Sequence, residues 1–194
     1  TNLLDHKSAS QDQRAQAADS AEAKALIDEG TWLLETMIEK DELIASAKRS
    51  ETKIHTGNLM TICSIKFAEC SEEHWKYKGR IVFRGDDVRD EHGIPAVFQE
   101  MTASPTGVFT TNNTIAYGAV AGNSTQVSDA IRAYIQSRLD SKFETWVCVP
   151  PELRPPEWRN AKRPMCRLVK ALYGHPESGA HWERHLEAAV TGSG

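Results

Sequence analysis

The stretch "YKGRIVFRG", residues 77–85, constrains the fold of this chain more than any other. Side chains of an extended strand alternate between faces, so Lys78, Arg80, Val82 and Arg84 share one face while Tyr77, Ile81 and Phe83 share the other. One face is cationic and the other apolar. Just upstream, "NLMTICSIKFA" from Asn58 to Ala68 is rich in branched and aromatic residues and also reads as a strand. The two pair as a hairpin across "ECSEEH".

Around this hairpin the chain alternates short elements. Residues 1–18 are polar and rich in Ala, Gln and Ser, a flexible leader that turns helical towards its end. Asp19 and Glu22 form a capping box for a helix that Gly30 stops. "TWLLETM" follows, and then "DELIASAKR" carries acids at its start and bases at its end, as the helix dipole favours. "VFTTNNTIAYGAVAGN" fits either a buried helix or a strand, because period does not separate them. "TWVCVP" is a short strand ending at a loop with five prolines in residues 150–164, and "MCRLVKALYG" resumes strand character. Trp182, His185, Leu186, Ala189 and Val190 then mark the stripe of an amphipathic helix capped by Ser178. Helices at both ends with hairpin strands between them predict an α+β fold rather than regular βαβ units.

Composition narrows the setting. The formal net charge of −4 argues against a nonspecific nucleic-acid coat, though not against a local basic groove. Four cysteines form no C-x-x-C pair, so a disulfide framework is not expected. With no signal peptide and no apolar run near the roughly 20 residues a membrane span needs, the expected location is intracellular, cytoplasm or nucleus, without a membrane partner.

Two constellations bear on chemistry. Neighbouring cations of the Lys78 face lie about 7 Å apart by strand rise, a spacing that suits successive phosphates. A solvated outer face of the hairpin is the alternative. The second is "STQVSDAIRAYIQSRLD", residues 124–140, where Asp129 reads as the cap of a short helix over 130–139 or as a metal-binding carboxylate. Tyr134, five residues on, reads as a core aromatic or as the floor of a sugar pocket. His181 and His185 stand four apart, but no further ligand is fixed by sequence, and a helix face explains them better. There is no Gly-rich phosphate loop and no G-x-S-x-G elbow.

Taken in order over residues 22–190, these pieces resemble the reverse transcriptase domain of copia-type retrotransposon Pol polyproteins. "EGTWLLE" resembles the family's opening Asn-Gly-Thr-Trp segment, "CSIKFA" its Lys-Trp-Val-Phe-Lys strand, and "YKGRIVFRG" its Tyr-Lys-Ala-Arg-Leu-Val-Ala-Lys/Arg-Gly strand. "FQEMTASPTG" stands where the family has a Phe-Ser/Ala-Pro-Val turn, and "SDAIRAYIQSRL" where it has an Asp, a short spacer and Ala-Phe-Leu. "ETWVCVPPEL" and "CRLVKALYGHPESGAHWERHL" resemble its Val-Tyr-Met and Leu-Tyr-Gly motifs.

The resemblance implies the fingers and partial palm of a right-handed polymerase over residues 19–194. It implies that Asp129 is a catalytic, metal-binding aspartate for Mg²⁺ or Mn²⁺ in the complete domain. Tyr134 becomes the sugar gate, and Lys78, Arg80 and Arg84, with Tyr173 and Gly174, contact the nucleotide. The partners it implies are an RNA or DNA template-primer, deoxynucleotide triphosphates and the remainder of the Pol polyprotein. Three departures stand out. Glu177 replaces the family's Gln with Gly179 after it in place of Pro, and Gly79 replaces Ala, while Ala130-Ile131 stands for Val-Lys. The sequence also stops before the Tyr/Phe-x-Asp-Asp hairpin, so the isolated chain is expected to be inactive. A decayed or co-opted module that binds nucleic acid or protein without chemistry is the competing expectation.

Overall fold

A computed structural model describes residues 1–98 and 106–192. It is a mixed α/β protein with a six-stranded sheet and five helices. β1 (Asn2–Leu3) leads into α1 (His6–Gln11) and α2 (Gln13–Asp28). β2 (Trp32–Glu39) precedes α3 (Lys40–Arg49), whose first turn carries Asp41 and Glu42 and whose last carries Lys48 and Arg49, as its charge pattern predicts. β3 (Ile54–Lys66) and β4 (Lys76–Phe83) form the expected antiparallel hairpin, from Leu59 opposite Phe83 to Lys66 opposite Lys76. Then come α4 (Val108–Gly118), β5 (Glu144–Cys148), β6 (Pro164–Leu168) and α5 (Ser178–Thr191).

β3 is long enough to serve three partners, β1 among them through Ser64 and Ile65. Its second half pairs with β4, while Ile54–Asn58 pairs in parallel with β5, which is antiparallel to β6 and through it joined to β2. α2 packs across β4, and Leu26, Trp32, Ile81, Phe83, Val147, Val149 and Leu172 form the main core. Burying such side chains contributes about 1.5–3 kcal/mol each. All four cysteines are free. Among the described residues no helix is long and apolar enough to cross a membrane.

Several local expectations change. α2 begins at Gln13, capped by the Asp12 carboxylate accepting from the Arg14 amide, rather than at Asp19, which lies mid-helix. The segment with the open helix-or-strand reading is the helix α4, and it has no buried residue. Residues 130–139 do not form a helix. Only Tyr134–Gln136 makes a 3₁₀ turn, because Arg132 sits at φ +52° and the next residues pair with the chain after β6. There the Leu139 amide donates to the Val169 carbonyl and the Ala171 amide to the Ser137 carbonyl, both near 3 Å. Tertiary pairing thus overrides the capping signal at Asp129.

α5 forms as its stripe predicts, but Ser178 is its first residue and Glu177 its cap position. Ser178 Oγ instead donates to the Leu172 carbonyl at 2.7 Å and accepts from the Leu172 amide at 3.0 Å, closing the intervening turn. Only Ser178, Ala180 and His181 of this helix are buried, whereas Leu186 and Val190 of the stripe are exposed.

Candidate functional site

The alternation read from "YKGRIVFRG" is realised. Lys78, Arg80 and Arg84 are exposed, and Gly79, Ile81 and Phe83 are buried on the opposite face. Gly79 is needed there because α2 crosses tightly: a β-carbon would lie 2.7 Å from the Ala18 carbonyl oxygen and 2.6 Å from Asp19 Oδ1. Neither Lys78 nor Arg80 has an ion-pair partner among the described residues, while Arg84 is held by Asp86 at 3.0 Å.

At the end of β4 the chain after β6 closes against the strand. Successive strand amides point to opposite sides, so the Arg84 amide meets the Asn58 carbonyl of β3 while the Phe83 amide points outward. It donates to the Tyr173 carbonyl at 2.7 Å. Gly174 follows with φ +87°, a left-handed conformation that glycine adopts without strain, and it abuts the Phe83 backbone. The half-exposed Tyr173 ring receives Tyr134 edge to face, with centroids 4.6 Å apart. Tyr134 and the Tyr173–Gly174 turn, far apart in the sequence, are therefore brought to the end of β4, beside Phe83 and next to Arg84.

Asp129 is not part of a comparable arrangement. It lies exposed in the loop after α4, on neither strand nor helix. No group of three His, Cys, Asp or Glu side chains among the described residues is arranged to hold a metal ion. The residues present do not by themselves fit a divalent metal centre, and no chemical step is derived through one. The "FQEMTASPTG" turn falls largely on residues 99–105, outside the described residues.

Below the turn sits a polar layer that sequence reasoning missed. His175 is buried; its Nδ1 accepts from the Glu177 amide at 3.2 Å, so Nε2 carries the proton and faces Thr145 Oγ1 at 3.4 Å. Burial, reinforced by His181 and His55, pushes His175 down to about 3. Its ring packs between Phe83 and Phe98. Glu177, which stands where the family has Gln, turns inward: it is buried and accepts from the Ser141 hydroxyl. Residues 55, 141, 175, 177 and 181 carry no shared spacing. The parallel β3–β5 pairing and the start of α5 assemble them.

No protein-family model, no curated protein and no solved structure matches this chain.

Proposed function

We propose that this chain is the fingers and front palm of a copia-type reverse transcriptase, a right-handed RNA-directed DNA polymerase. In this reading the β3–β4 hairpin offers Lys78 and Arg80 to the phosphates of a deoxynucleotide triphosphate or template-primer. Tyr134 and Tyr173 floor the sugar and base. The observation that carries the reading is the convergence of Tyr134, Tyr173 and Gly174, next to Arg84, at the end of a strand whose cationic face offers Lys78 and Arg80 without ion-pair partners among the described residues. Guanidinium and ammonium groups aimed at phosphate supply much of the electrostatic help in phosphoryl transfer. The inward turn of Glu177 also favours it, since the carboxylate is withdrawn from the surface where it would repel a triphosphate.

Two-metal nucleotidyl transfer needs more carboxylates than Asp129. The reading therefore requires others, from the remainder of a Pol polyprotein. Its test is primer extension by a polypeptide that continues through a Tyr-x-Asp-Asp hairpin. Asp129→Asn is expected to abolish extension, and undiminished synthesis by that variant would refute the assignment.

One observation favours a second reading, a non-catalytic module that binds nucleic acid or protein. Asp129 stands alone in an exposed loop. Under this reading Asp129→Asn changes nothing, while charge removal on β4 still weakens binding.

A further inference from the structure

A cavity of about 440 Å³ opens beside the turn that follows Gly174, lined among others by His55, Asp140, Ser141, Phe143, Glu177 and His181. Glu177 is only 8% exposed, and its one side-chain donor among the described residues is the Ser141 hydroxyl. None of the ion pairs among the described residues includes it. His55, 7% exposed on the same wall, has a buried Nδ1 with no hydrogen-bond partner among the described residues. Lys142 and Arg184 also line the cavity; Arg184 donates to His181 Nδ1 at 3.0 Å, and Lys142 stands 5.5 Å over the Phe143 ring.

A carboxylate withdrawn from water is favoured by opposite charge and hydrogen-bond donors. A buried ring nitrogen without a partner is likewise disfavoured. Both needs are met by a group with positive charge and several N–H donors, and an alkylammonium supplies three in a compact head. The field agrees, since the Glu177, Asp90 and Glu91 carboxylates all favour positive charge at His55, against the larger effect of its burial.

We propose that this cavity binds a small primary ammonium compound, its –NH₃⁺ received by Glu177, with His55 Nδ1 as a further acceptor. The inference does not rest on the polymerase reading, because it uses no residue of the β4 face. The whole chain is titrated with methylammonium chloride, and the His55 ring resonances are followed by NMR. Tetramethylammonium, which has the charge but no N–H donor, and sodium acetate serve as comparisons on the unaltered protein. Saturable shifts with methylammonium alone are expected, weakened about tenfold or more in Glu177→Gln, as loss of a charged hydrogen bond implies. Absence of saturation with methylammonium, or an equal response to tetramethylammonium or acetate, overturns the proposal. So does unchanged affinity in a folded Glu177→Gln protein. If that variant does not fold, the comparison of the three salts on the unaltered chain decides.

Discussion

Gly174 approaches Phe83 so closely that a β-carbon on Gly174 would stand 2.0 Å from the Phe83 carbonyl oxygen. The contact is between backbones, so no rotamer change relieves it. It fixes the turn bearing Tyr173 to the end of β4, and through Tyr173 it sets the place of Tyr134. Gly174→Ala is expected to destabilise the fold by roughly 2–4 kcal/mol, combining a left-handed φ with a clash against the Phe83 backbone. Gly122 provides the control: it has φ +88°, but a β-carbon there would meet nothing within 4 Å. Gly122→Ala is expected to cost only about 1 kcal/mol. Urea denaturation of both variants checks the difference.

Gly79 poses the same question on the buried face of β4, where α2 crosses the strand. Gly79→Ala forces α2 away from the strand, because the obstacles are the Ala18 backbone and Asp19. Burial, with Glu152 second, pushes the Asp19 carboxyl up, and displacing α2 relieves that burial. A loss of about 1–3 kcal/mol is expected, with amide hydrogen exchange in α2 rising more than in β5.

His175 makes stability depend on pH with a definite sign. Its folded value lies near 3, below the roughly 6.5 of an unfolded histidine, so the unfolded chain takes up a proton that the folded chain refuses. The contribution is complete above about pH 6.5 and is lost as pH falls towards 3, at up to roughly 1.4 kcal/mol per pH unit. Denaturation midpoints measured between about pH 7 and pH 5 should therefore fall more steeply for the unaltered protein than for His175→Gln.

Legibility in the sequence followed how local each signal is. The β3–β4 hairpin was readable because a period of two survives any packing, and α3 because its charges complement its own dipole. The start of α2 was misplaced because Asp12 and Asp19 both fit a cap, and only the crossing over Gly79 distinguishes them. The helix expected after Asp129 failed for a nonlocal reason, the pairing of residues 137–139 with 169–171. Arg84, Tyr134, Tyr173 and Gly174 were each nameable from sequence through the family resemblance. The inward Glu177 and the His55–His175–His181 layer were not, since they meet only through sheet register and the docking of α5. The α5 stripe shows the converse: period correctly gave the helix, but among the described residues no element covers Leu186 and Val190.

The most direct test of the central claim is binding of a primer-template duplex across a range of salt, comparing the unaltered chain with Lys78→Ala/Arg80→Ala. Each cation that neutralises a phosphate contributes about one unit to the slope of log affinity against log salt. Weak, salt-sensitive binding by the unaltered chain is predicted, with both affinity and slope reduced in the double variant, the slope by about two. Equal affinity and equal slope in the two proteins would contradict it.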